Sequence, residues 1–278
     1  MIKVLHPGFL SSFQDMGRFG YRHFGVPVSG AMDQQSMVFA NKLVGNPNGE
    51  AVIEFAIRAP RLKFETNTRI AITGADFSPL LNKRDIQMNI SIEVAANDEL
   101  SFKGNRKGVY GYIALSGGYQ LRAVMNSHSY YSNISDHLRL QKGVTVALKK
   151  STNKIVSSMI ADLPSNKVPI KVYKGPEFKL LSKHQQEALL TINFSISNIY
   201  NRMGIQLEEK IENSLPSILT FGVLPGTVQL TPSGTLIVLM RDAQTTGGYP
   251  RVLQLTENAV NSISQFSPGT AFKFEVLT

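Results

Sequence analysis

Short runs in which apolar and polar residues alternate make up most of this chain. Ile53, Phe55 and Ile57 alternate with Glu54, Ala56 and Arg58. Leu62 and Phe64, then Ile70 and Ile72, repeat the alternation, and the runs Val109 to Leu115, Val144 to Leu148, Ile218 to Val223, Leu236 to Met240 and Ala271 to Val276 continue it. Alternation of this kind puts successive side chains on opposite faces of a strand. With turn signals between most of the runs, the pattern predicts a mainly β protein built from barrels or sandwiches, with a few short helices. Asp33 is placed to cap a helix over Gln34 to Val44, where Met37, Ala40 and Val44 share a face and Gly45-Asn46-Pro47 stops the turn. Ser182 to Leu190 and Glu257 to Gln265 are the other two predicted helices.

The segment Lys149 to Pro169 is rich in Ser, Asn and Lys, carries two prolines and separates two strand-rich halves. It reads as a linker, with the boundary near Asn166 dividing the chain into residues 1–165 and 166–278. Gly117-Gly118-Tyr119 is echoed by Gly247-Gly248-Tyr249, and Phe24-Gly25-Val26 by Phe221-Gly222-Val223. The two pairs have different offsets and define no single repeat.

Composition narrows the class. A chain of 278 residues with 42% apolar and 18% charged residues holds enough hydrophobic material for a packed core. Having no cysteine, it forms no disulfide framework and performs no thiolate chemistry. Met1 to Pro7 shows no apolar signal region, and no run is long and apolar enough to span a bilayer, so a cytoplasmic location is expected. The net charge of +9 is spread along the chain. It has no basic stripe and no stacking aromatics beside it, and so reads as solvation and attraction of an anionic ligand or acidic partner, not nucleic-acid binding.

The densest candidate chemistry follows Leu236 to Met240: Asp242, Gln244, Thr245, Thr246, Gly247, Gly248 and Tyr249. Two hydroxyls, adjacent glycines able to take φ > 0, and a phenol held extended by Pro250 stand at a strand end, where polar groups line pockets. Asp242 reads as functional or as an exposed turn residue in equal measure. Near the other terminus, Gln14, Asp15 and Arg18 lie in a glycine-punctuated turn, where Asp15 and Arg18 read first as a structural pair and second as an anion anchor. Asp33 reads as a cap before it reads as catalytic. The five histidines show no metal-ligand spacing, so no metal site is expected. No Walker A pattern, dinucleotide fingerprint or Met-Lys-Met type biotin-attachment sequence occurs.

The string from Pro7-Gly8 through Gln14-Asp15-x-Gly17-Arg18-x-Gly20-Tyr21, Gly25-Val26-Pro27-x-Ser29-Gly30-Ala31-Met32-Asp33 and Ala40-Asn41-x-Leu43-Val44-Gly45-Asn46 resembles the biotin-dependent carboxyltransferase family, also labelled allophanate hydrolase subunit 2. Its stand-alone class is the 5-oxoprolinase C-type subunit, the KipA-like proteins. Val172 to Glu177, Arg202-Met203-Gly204 and Asp242 to Pro250 extend the resemblance nearly end to end.

The resemblance implies two cyclophilin-like β-barrel domains and a cleft formed by segments of both. It implies Arg18, Arg202 and Asp242 as catalytic groups, and Gln14, Asp15, Asp33, Gln244, Thr245, Thr246, Gly247, Gly248 and Tyr249 as substrate-binding groups. It further implies ATP at the level of a complex, no biotin on this chain, and a KipI-like B-type subunit and a LamB/YcsF-like A-type subunit as partners in opening 5-oxoproline to glutamate. A KipA-like protein that antagonises a KipI-like kinase inhibitor, and the carboxyltransferase part of a urea-carboxylase-type system, are the alternatives. The chain departs from the family pattern at Asn201, usually Asp, and at His128, usually Arg.

Overall fold

The computed structural model describes residues 1–150 and 169–277, so the expected boundary near Asn166 lies outside the described residues. The described chain groups into two compact units. Met1–Arg18 and the chain from Ser29 to residue 150 form the first; Phe19–Val28 and the chain from residue 169 onward form the second. The ten-residue excursion Phe19–Val28 thus divides the N-terminal signature between units.

In the first unit, Ile2–His6, Arg61–Phe64, Pro79–Leu81, Arg84–Asp85, Glu99–Phe102 and Thr145–Val146 form a six-stranded sheet. Leu10–Gln14, Val52–Ala56, Thr68–Asp76, Ser91–Val94 and Lys107–Leu115 form a five-stranded one. Among the corners where the chain changes sheet are those at Gly8, φ 75°, and Ser78, φ 53°, both in the left-handed region. At Gly8 a Cβ would stand 2.2 Å from the Arg58 carbonyl oxygen, so only glycine fits the first corner.

Register assigns the faces of the five-stranded sheet. Phe13 pairs with Ile53, Ile53 with Ile113 and Ile113 with Ile72. These residues belong to the core cluster that also takes Leu62, Phe64 and Leu100 from the other sheet. The opposite face presents Ser12, Glu54, Tyr112 and Thr73 in one row. Helix α1 (Gln34–Leu43) packs against that face, with the Thr73 hydroxyl donating to Ser36 O at 2.7 Å. Val52–Ala56 is therefore buried on both faces, and the predicted alternation ends there. Ile57, expected on the apolar face, is instead exposed at φ 65°, where the strand turns away.

The second unit holds an eight-stranded sheet. Its order runs Ala271–Phe272, Phe194–Tyr200, Gly204–Lys210, Thr235–Leu239, Thr227–Leu230, Arg251–Leu255, Ile170–Lys174, Phe274–Val276. The two ends of that order are separated in the chain only by Lys273, so the sheet curls back on itself as a nearly closed barrel. Phe194, Phe266, Phe272 and Phe274 pack together near the seam. Helices α2 (Lys183–Thr191) and α3 (Glu257–Ser264) start at Ser182 and Thr256, whose hydroxyls accept from the amides of Gln185 and Ala259. All three predicted helices are present to within a residue or two. The predicted strand Ile218 to Val223 shrinks to Phe221–Gly222, which pairs outside the barrel with Thr246–Gly247.

Candidate functional site

Asp15 and Arg18 follow the strand Leu10–Gln14 and serve one loop, residues 124–129. Asp15 Oδ1 accepts from Gly17 N at 2.8 Å, Ser127 Oγ at 2.8 Å and Ser129 Oγ at 2.6 Å, while Oδ2 accepts from His128 N at 2.5 Å. A carboxylate with this many donors is fixed in place and needs no cation to be satisfied. The His128 ring stands 3.7 Å from Oδ2. Arg18 is wholly buried, and its guanidinium donates to Val124 O at 3.2 Å and Ser129 O at 2.7 Å. Both residues thereby hold the loop's shape. Gln14, also wholly buried, donates to Ser12 Oγ and Tyr130 O, and its Oε1 has no hydrogen-bond partner among the described residues.

Asp33 caps α1 as expected: Oδ1 accepts from Ser36 N at 3.1 Å and Oδ2 from Ser36 Oγ at 2.6 Å. Its own amide donates to Tyr112 Oη at 2.8 Å, and Tyr112 donates to Glu54 Oε2 at 3.0 Å, which also accepts from Met32 N at 2.7 Å. Burial, then the neighbouring carboxylates of Glu54 and Asp33, push the Tyr112 hydroxyl's pKa well above its usual 10.0. Glu54, a polar alternate of the strand in the sequence pattern, is instead buried, and a buried carboxylate must find partners. Asn41 and Asn46, which stand in the family-like string but were given no site role, are buried amides at the end of α1, bonded to Glu50 O and Leu115 O at 2.7 and 2.8 Å.

In the second unit the catalytic candidates Arg202 and Asp242 meet. Arg202 Nε donates to Asp242 Oδ2 at 2.7 Å and Nη2 to Oδ1 at 3.0 Å, a bidentate fork. The hairpin turn at Arg202 is tied to the end of the strand Thr235–Leu239 by Asp242 N to Arg202 O at 2.8 Å and Met240 N to Met203 O at 2.9 Å. Both carboxylate oxygens face the guanidinium, which suits Asp242 to orienting Arg202. Asn201 Oδ1 accepts from Met203 N and Gly204 N, so the departure at that position keeps a turn-forming oxygen.

Beyond Asp242 the chain turns outward: Gln244, Thr246 and Tyr249 are exposed, and Thr245, Gly247 and Gly248 partly so. Neither glycine adopts the positive φ expected of it. A Cβ at Gly247 would lie 2.4 Å from Nε2 of the buried Gln229, so a larger residue there makes the Gln229 side chain shift. Sequence reasoning missed Gln229, a polar residue between Val228 and Leu230, and also Arg22, whose partners are some 200 positions away. No group of residues suited to hold a metal occurs among the described residues.

Residues 24–276 match the family described as carboxyltransferase domain, subdomain A and B. The chain is 30% identical to the C-type subunit of Escherichia coli 5-oxoprolinase over 99% of its own length and 90% of that protein's. Among solved structures, TTHA0988 superimposes with a TM-score of 0.87 at 26% identity over 99% of this chain, which spans only 55% of the TTHA0988 chain. The Kluyveromyces lactis urea carboxylase superimposes with a TM-score of 0.88 at 25% identity over 100% of this chain and 27% of the carboxylase.

Proposed function

The chain belongs to the carboxyltransferase domain, subdomain A and B, family, and from that premise we propose that it is the C-type subunit of a multi-subunit, ATP-dependent 5-oxoprolinase that opens 5-oxoproline to glutamate. The observation that carries this reading is the match to the 5-oxoprolinase C-type subunit, which takes in both units of this chain and nearly all of the relative. In urea carboxylase the matching region is a minor part of a longer chain. The assembly partners of this reading are a KipI-like subunit and a LamB/YcsF-like subunit, with ATP bound at the level of the complex and no biotin carried here.

A lactam amide is a poor electrophile. Transfer of a phosphoryl group from ATP to its oxygen releases ADP and makes the carbonyl carbon attackable by water; the ring C–N bond then breaks, the nitrogen taking a proton and the carbon left as an acyl phosphate, and a second water releases phosphate to give glutamate. Such a route needs fixed donors around developing negative charge. The Arg202–Asp242 fork and the Thr245 to Tyr249 turn supply a cation, hydroxyls and backbone N–H groups of that kind. The geometry at Asn201 leaves the turn intact and so gives the regulatory alternative no independent support.

The test is glutamate release from 5-oxoproline by the chain reconstituted with its co-encoded subunits, with and without ATP. Removing Arg202 would strand Asp242, so the cleaner substitution is Thr246→Val, which keeps shape and strand preference while deleting one exposed hydroxyl. ATP-dependent release that falls roughly tenfold or more in Thr246→Val, at an unchanged melting temperature, is expected. Absence of release from the complete wild-type assembly would overturn the reading, and full activity in the variant would remove the Thr246 hydroxyl from the site.

A further inference from the structure

The turn from Thr245 to Tyr249 is anchored to a ribbon too short to stand alone. Phe221–Gly222 and Thr246–Gly247 pair as two-residue strands, continued by Val223 N to Thr245 O at 3.1 Å and Ile218 N to Gly248 O at 3.0 Å. Isolated two-stranded ribbons are marginal in water even when longer. Side chains from elsewhere in the unit reinforce this one, Arg251 among them, its Nη1 donating to Gly222 O at 3.2 Å. Gln229 lies beneath Gly247 and reaches toward Tyr249 O at 3.5 Å. Arg22 comes from the Phe19–Val28 excursion. Its Nη2 donates to Val223 O and, at 3.1 Å, to Thr245 O, so one guanidinium nitrogen bridges both strands where their ladder ends.

The backbone that presents Arg22 is itself fixed. Arg22–Phe24 form one 3-10 turn, closed by Gly25 at φ 77° with its N–H on Arg22 O at 2.9 Å. Only a glycine adopts that conformation without strain.

We infer that Arg22 is a positioning residue, a latch whose bridge between Val223 O and Thr245 O holds the Thr245 to Tyr249 turn in its working shape. The inference rests on the reading above that this turn serves the 5-oxoprolinase reaction. Lysine at the same place is a point charge on a flexible stem, without the planar guanidinium that fixes the directions of the two N–H groups on Nη2. Arg22→Lys should therefore keep part of the latch, and Arg22→Met should lose it.

Hydrogen exchange on the full-length chain, paired with steady-state kinetics of the reconstituted complex, tests this. Arg22→Met should speed exchange at the amides of Val223 and Ile218, which donate across the ribbon, roughly tenfold while leaving the barrel strands protected. In the complex it should lower kcat/KM for 5-oxoproline by a similar factor, with Arg22→Lys intermediate in both readouts. A general loss of structure would instead speed exchange throughout the unit. Unchanged exchange at the ribbon overturns the latch whatever the kinetics show. Faster exchange with full kcat/KM overturns the positioning role and takes the turn out of the site. Exchange also decides the latch if the wild-type complex proves inactive. Should Arg22→Met fail to fold, Arg22→Lys, which keeps the charge but not the planar guanidinium, carries the same comparison in both readouts.

Discussion

Single residues in this protein owe their identity to partners far along the chain. Glu177 is an example with a measurable consequence. Its carboxylate takes Arg251 Nη2 at 2.8 Å, Nε at 3.0 Å and the Arg251 amide at 2.9 Å, and Arg251 continues to Gly222 O at 3.2 Å, with the Phe221 ring 5.1 Å away. The side-chain hydrogen bond from Arg251 is the chief reason the Glu177 carboxyl sits below its usual 4.5, against the opposing effect of burial. A depressed carboxyl pKa contributes stability that is fully present above the unfolded value and fades as pH falls through the folded one. Glu177→Gln should thus lower stability by on the order of 1 kcal/mol near neutral pH. The gap to wild type should close progressively once the pH drops below 4.5. Denaturant melts of both proteins from acid to neutral pH check this; a pH-independent gap would assign the loss to packing instead of charge.

Among the elements, those defined by local signals were legible and those defined by distant pairing were not. Asp33, Ser182 and Thr256 each cap a helix; in the sequence Asp33 reads as the cap of α1, and the other two helices are given by their ranges alone. The strand Val52–Ala56 was found, but its burial on both faces was hidden because α1 covers the face that alternation assigned to solvent. The loop around Asp15 was illegible for the same reason, its serines lying 112 and 114 positions away. Tyr112 joins these elements by linking Glu54 to the amide of Asp33, the residue that caps α1. Tyr112→Phe leaves both partners buried and short of one hydrogen bond, which costs about 1–3 kcal/mol. Tyr112 keeps its proton in the fold at pH values where an unfolded tyrosine loses it, so its contribution is complete below 10.0 and declines as pH rises beyond that. The difference between wild type and Tyr112→Phe should accordingly shrink in alkaline melts, and a difference that grows above 10.0 would contradict the buried network.

At the scale of the whole molecule, connectivity sets a constraint that neither half of the sequence announces. A cut at the linker, the natural place to divide the chain by composition, would leave residues 166–278 without Phe19–Val28, which belong to the same compact unit. That fragment keeps every strand of the eight-stranded sheet. It loses Arg22 with both of its carbonyl bonds, and it loses the buried Val26 and Pro27. The barrel core is untouched, so the damage should be local, falling on the ribbon and on the exposed, irregular stretch 212–220 that leads into it. Limited proteolysis should cleave the fragment within residues 212–224 about tenfold faster than the full chain, while the barrel strands resist in both. Joining Phe19–Val28 ahead of residue 166 through a flexible linker long enough not to direct its docking should return the ribbon toward full protection. Equal cleavage of fragment and full chain would mean that the ribbon holds its shape without the excursion, and no recovery in the fused form would mean that Phe19–Val28 needs its original anchors at Arg18 and Ser29 to find its place.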